Sequence, residues 1–210
     1  MRHTIRIVLA TGVTVVALAS CSNQNPGSPT TGDTSTSNTS SNRSTDSPSS
    51  EKPNSNGAAP AISGPELSVA NFSSNACQAF TSEQLTTLGL QPDGTPRNNG
   101  ASCTWRPEDL VAASTYMVTF PPAGTTLDRY YKNKAQYPAF EESEVANYPA
   151  ANFDITDAKH GQCSTIVGVA KDAVFIVQAS AGSDDPQYST PCTLSAKAAE
   201  IVVNNLKGDR

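Results

Sequence analysis

Cys163-Ser164-Thr165-Ile166-Val167-Gly168-Val169-Ala170, then Lys171-Asp172, then Ala173-Val174-Phe175-Ile176-Val177-Gln178-Ala179-Ser180 is the stretch that decides the fold. Two runs rich in β-branched and apolar residues flank a polar pair of the length that a tight hairpin loop needs. Such a hairpin has to be covered, and the next apolar segment supplies cover. Cys192 to Leu206 places Leu194, Ala198, Ile201, Val202 and Leu206 close to one stripe of a helix, the pattern of an element packed on a sheet.

Upstream of the hairpin, Ala101 to Arg106 and Thr115 to Phe120 read as strands, the second with Tyr116, Val118 and Phe120 on one side and Pro121-Pro122 and Gly124 to stop it. A short strand is expected around Asn152 to Thr156. Cys77 to Leu90 reads as a helix: Thr81 can cap it, Gln84 is the capping-box partner, Leu85 and Leu88 share a face, and Gly89 suits the C-terminal turn. Thr126 to Lys134 reads as a second helix, with Asp128 near its positive end and Lys132 and Lys134 near its negative end. Helix, strand, strand, helix, strand, hairpin, helix implies an α+β fold, a mostly antiparallel sheet packed against helices. Strand order is beyond the sequence.

The N-terminus reads as an export signal. Arg2 and Arg6 precede an apolar run of 12 residues, Ile7 to Leu18, interrupted by Thr11, Gly12 and Thr14, the length of a signal-peptide core and too short to span a bilayer. Leu18-Ala19-Ser20-Cys21 then matches a lipobox: small residues fit the peptidase pocket, and the Cys21 thiol is the nucleophile that accepts diacylglycerol. Residues 1–20 are thus expected to be a lipoprotein signal peptide and Cys21 the lipidated first residue of the mature chain. Two or three acyl chains of the palmitate type would hold the protein to a membrane surface without spanning it.

From Ser22 to Gly64 the chain is mostly Ser, Thr, Asn, Pro and Gly, with Ile62 its one large apolar side chain, while every Phe, Tyr and Trp lies at Phe72 or later. Such a segment cannot bury enough surface to offset its conformational entropy, so 21–64 is expected to be a disordered tether and 65–210 a single globular domain. That domain carries 10 basic and 16 acidic residues, a net of −6, within a chain of net charge −5. This balance argues against a nucleic-acid partner.

Removing Cys21 leaves Cys77, Cys103, Cys163 and Cys192. An even count in an exported chain reads as two disulfides, each worth roughly 3 to 4 kcal/mol in the chain-entropy model. Four cysteines allow three connectivities and sequence alone does not choose. Cys77 with Cys103 and Cys163 with Cys192 is favoured because each pair would tie a helix start to a neighbouring strand. Zinc is disfavoured, since no two cysteines have the spacing of a metal knuckle and His160 is the one histidine left after signal cleavage.

Ala76-Cys77 followed by Leu85 to Gly89-Leu90, then Cys103-Thr104-Trp105, then Cys163 opening an apolar strand, then Pro191-Cys192 opening a final helix, resembles the actinobacterial lipoproteins with domain of unknown function 3558. The likeness covers about Asn75 to Leu206, and the lipobox and tether ahead of it fit as well. It implies an exported, surface-anchored protein with four paired cysteines, and it brings no activity to transfer.

Catalytic patterns are sparse. His160 sits in the polar run Asp157 to Gly161 and reads as an exposed loop residue; a Gly-x-Ser-x-Gly elbow, a phosphate loop and an Asp-rich calcium loop are absent from the sequence. Ser195-Ala196-Lys197 misses Ser-x-x-Lys by one position. Glu141, Glu142 and Glu144 read as a solvated face, and the adjacent pairs Glu141-Glu142 and Asp184-Asp185 diverge rather than converge. Trp105 and the six tyrosines offer aromatic faces suited to sugar or lipid, although Trp105 shares a strand face with Cys103 and reads as core. The expectation is a non-catalytic binding or accessory module on the extracytoplasmic face of the cell membrane, without cofactor or metal, contacting an envelope ligand or protein partner. The alternatives are an envelope enzyme using carboxylates or a tyrosine and, less favoured, a sensor.

Overall fold

The hairpin is the centre of the sheet. A computed structural model describes residues 57–154 and 158–208 of the chain; residues 1–20, Cys21 and the tether up to residue 56 lie outside them. Seven strands are present: β1 (Thr95–Arg97), β2 (Ser102–Trp105), β3 (Thr115–Thr119), β4 (Ala139–Val145), β5 (Tyr148–Asp154), β6 (Gln162–Ala170) and β7 (Ala173–Ser180). They form one sheet in the order β1-β2-β3-β7-β6-β5-β4, every neighbouring pair antiparallel. Three α-helices accompany it: α1 (Ser82–Thr87), α2 (Leu127–Lys132) and α3 (Pro191–Lys207). The α+β architecture follows, with an antiparallel sheet between helices.

Two expected elements change shape. The helix expected from Cys77 divides into a 3₁₀ turn, Ala76–Gln78, and α1, because Thr81 is extended (φ −81°, ψ 164°) so as to cap α1. The Thr81 and Gln84 side chains exchange bonds with each other's backbone N–H, the reciprocal arrangement that satisfies two orphan donors at once. The strand expected at Asn152 to Thr156 begins earlier, at Tyr148, because it pairs along its length with β4; Ile155 and Thr156 lie outside the described residues. β1 and β4 are additional to the sequence reading. Ala146-Asn147, with φ of 49° and 69°, joins β4 to β5 in the two-residue, left-handed turn that matches strand twist.

Alternation along the strands divides the sheet into two faces. Cys103, Trp105, Tyr116, Val118, Val167, Phe175 and Val177 point to one side, where α3 supplies Leu194, Ala198, Ala199, Val202 and Val203. Phe72, Ala76, Phe80 and Leu85 complete that core. On the other side α2 places Leu127 and Tyr131 against Ala151, Phe153, Ile166 and Val174.

Both disulfides lie on the first side. Cys77–Cys103 joins the 3₁₀ turn to β2, with Cα atoms 5.0 Å apart, and Cys163–Cys192 joins the start of β6 to the first turn of α3, at 4.9 Å. Only the second ties a helix start to a strand; Cys77 precedes α1. The folded part also begins before Pro65. Ala59 N–H donates to Asp128 Oδ1 at 2.7 Å, Ile62 packs on the main core, and Tyr148 Oη donates to the Pro65 carbonyl at 2.7 Å, so residues 59–65 run along the domain as a strap. Apolar Ile62 is what the polar composition around it concealed.

Candidate functional site

The residues with chemical potential are mostly occupied by structural work. Ser195 is fully buried and shares a 2.7 Å bond with Thr165 Oγ1, which donates its own proton to Asn152 Oδ1 at 2.8 Å. Ser195 Oγ also donates towards the Cys192 carbonyl at 3.2 Å, so its one proton is shared between two acceptors, and the chain Ser195–Thr165–Asn152 fastens α3 to β6 and β5. Asp185 accepts from Ser114 Oγ at 2.6 Å and from Gln187 N–H at 2.8 Å, holding the loop after β7. Glu141 and Glu142 stand on opposite faces of edge strand β4, and Glu142 lies 3.6 Å from Lys134. His160 is exposed at the end of the 3₁₀ turn Ala158–His160.

Trp105 is core, 1% exposed, with Phe80 edge-on at 4.9 Å. Gly94 explains how closely the disulfide and the indole meet: a Cβ there would fall 2.5 Å from Cys103 Sγ and 2.6 Å from Trp105 Nε1. The tyrosines divide by depth. Tyr131 Oη donates to the Ala150 carbonyl at 2.9 Å, and burial, then the charge of Glu142, pushes its phenol up to about 12. Burial, then the charge of Asp185, pushes Tyr116 up to about 12 as well. A phenol with such a pKa stays protonated at neutral pH and makes a poor base.

Tyr130 and Tyr137 differ from these: both are half-buried and both reach a cleft of about 350 Å³ lined also by Pro121, Thr125, Arg129, Asn133 and Gln136. α2 turns Tyr131 inward and its neighbour Tyr130 outward, and a 3₁₀ turn, Lys134–Gln136, brings Tyr137 back beside it. The two rings are nearly parallel, 10° apart with centroids at 6.2 Å, and both rest on Phe153, at 5.5 Å and 4.9 Å. Asn133 Nδ2 donates to the Arg129 carbonyl at 2.7 Å, and Gln136 Nε2 to Asn133 Oδ1 at 3.3 Å, which fixes the polar wall. The sequence signal for this site is three tyrosines within the span Tyr130 to Tyr137; the turn that assembles them is not written in the hydrophobic pattern.

Other concavities follow the strap. One of about 460 Å³ lies between it, Leu127, Asp128 and Lys171; another of about 540 Å³ shares Glu66 and Ala170 with it. Between them, Glu66 Oε1 accepts from Lys171 N–H at 3.0 Å. A polar cavity of about 680 Å³ lies by the C-terminal end of α3, among Asn71, Asn75 and Gln78. No helix among the described residues is long and apolar enough to cross a membrane.

A family model described as "Protein of unknown function (DUF3558)" matches residues 16–205 of the chain. No curated protein and no solved structure matches it.

Proposed function

Since the chain belongs to the DUF3558 family, whose function is unknown, we propose a role from its own residues: a bacterial lipoprotein of actinomycete type, anchored through Cys21 at the extracytoplasmic face of the cell membrane and acting there as a non-catalytic binding or accessory module. One observation carries the reading. Of the five cysteines, four close into disulfides, and the fifth, Cys21, directly follows Leu18-Ala19-Ser20. Disulfides persist in oxidising compartments, and a lone thiol behind small residues and an apolar run is the substrate of lipid transfer. The family match begins at Val16, so it takes in that cysteine.

The binding half of the reading is supported by what the concavities hold. Aromatic and amide groups line the cleft at Tyr130 and Tyr137, with Arg129 its one charged residue, whereas Ser195, Thr165, Ser114 and Asp185 brace loops and helices. In a lipoprotein-processing bacterial host, the full chain is expected in the membrane fraction, with the mass of diacylglycerol plus acyl on an N-terminal Cys21 and no alkylatable thiol without reductant. The Cys21→Ala variant is expected in the soluble fraction. A wild-type chain that is soluble without detergent and alkylates at four thiols would overturn the proposal.

A further inference from the structure

We propose that the cleft between α2 and the turn after it is a saccharide subsite, and that the sugar unit it takes carries a carboxylate. This deepens the binding-module reading and rests on it. A pyranose ring has an apolar face of C–H groups and a rim of hydroxyls, so it asks for an aromatic wall beside amides. Tyr130 and Tyr137 form such a wall, half-buried and braced from behind by Phe153. Because each tyrosine has just two side-chain rotors and both are packed, little ordering entropy remains to be lost on binding. Beside them Gln136 spends one amide proton on Asn133 and keeps the other, with its carbonyl oxygen, for hydroxyls.

The charge requirement comes from Arg129. It is the one charged residue in the lining, and it is exposed. The neighbouring cations are engaged by carboxylates of the same chain, Lys132 with Asp128 at 3.9 Å and Lys134 with Glu142 at 3.6 Å. Arg129 has no such partner among the described residues. A guanidinium beside an aromatic wall matches a carboxylate in two-point geometry, which a neutral sugar cannot exploit. At about 350 Å³ the space is near the small end of ligand sites, which run from about 300 Å³ upward, so one sugar ring is the fit.

N-acetylmuramic acid and N-acetylglucosamine differ by a lactyl ether that carries the carboxylate, and titrating each into the isotopically labelled, detergent-solubilised full chain separates the two requirements. NMR signals of the Tyr130 and Tyr137 rings and of Arg129 Nε are expected to shift with N-acetylmuramic acid at a Kd about tenfold below that for N-acetylglucosamine, the difference that one charge-assisted contact confers. Arg129→Gln, at an exposed position, should leave the spectrum folded and bring the two sugars level; Tyr137→Leu should weaken both. Absence of shifts at these three residues with either sugar, or equal affinity for both in the wild-type chain, would overturn the proposal. A null titration on a chain that still carries its lipid sinks the subsite and leaves the anchored module standing. Binding by a chain that carries no lipid does the reverse.

Discussion

The two faces of the sheet are built to different standards of closure. On the side of α3, the central strands meet helices, residues 72–85 and both disulfides, and Trp105, Val118, Phe175 and Val177 are at most 1% exposed. On the side of α2, cover extends over β4 to β6 and part of β7, and then stops. Beyond it, Thr104, Met117, Gln178 and Ser164 form one cross-strand row, with Ser102 and Thr119 in the next; Thr104 and Ser102, at the β2 end, are buried, Ser102 accepting from Asn98 Nδ2 at 3.1 Å, and the rest of the row is open. Met117, Thr119, Gln178 and Ser164 are half-exposed, and Thr119 donates to Ser102 Oγ at 3.0 Å. A hydroxyl and amide surface keeps its hydrogen bonds with water, so it needs no helix above it; an aromatic and aliphatic one does. The first face therefore carries the larger buried core, and the second carries the Tyr130–Tyr137 cleft beside half-exposed strand positions.

The largest expected effect tests that division of labour. Trp105→Ala removes the side chain against which Phe80, Gly94 and the Cys77–Cys103 bridge pack, and should cost about 3 to 5 kcal/mol in denaturant unfolding. Leu127→Ala, the matching deletion under α2, should cost about 2 kcal/mol, since the cover there is one short helix. Equal losses at the two sites would mean that α2 seals its face as tightly as α3 seals the other.

Alkaline pH probes both faces with one chemistry. Tyr116 lies on the α3 side and Tyr131 on the α2 side, and each phenol rises from 10.0 to about 12 in the fold. Between those values the folded chain holds protons that the unfolded chain has lost. The stability linked to them is therefore complete below pH 10 and drains away as pH rises towards about 12. Equilibrium unfolding followed across that window should show the decline. Tyr116→Phe and Tyr131→Phe should each remove part of it, and a slope unchanged in both would show that neither phenol is sequestered.

How far these features were legible depends on how local their causes are. The β6–β7 hairpin, the α3 stripe and the Thr81–Gln84 box were readable because period and capping act within a few residues. β1 was not: Thr95-Pro96-Arg97 is exposed throughout and contains a proline that donates no hydrogen bond, so only pairing with β2 makes it a strand. β4 was hidden for a related reason, because Glu141, Glu142 and Glu144 read as a solvated run. They are solvated, but on an edge strand, where charge discourages further pairing. The cleft needed tertiary knowledge. Tyr130 and Tyr131 are neighbours with opposite fates, one facing the cleft and one buried under α2, and Tyr137 joins the first only through the turn after Asn133.

The smallest expected effect belongs to the open row. Met117→Thr and Gln178→Thr place β-branched residues on strand positions that face solvent, and surface substitutions of this kind change stability by no more than about 0.5 kcal/mol. Thermal unfolding at two protein concentrations makes the measurement informative beyond its size. A flat, unchanged Tm means that water covers the row. A loss above about 2 kcal/mol that grows with protein concentration means that a second copy covers it, because only binding to the folded state makes Tm depend on concentration. The second outcome would make both faces closed and leave the Tyr130–Tyr137 cleft at the rim of an interface rather than beside an open strand.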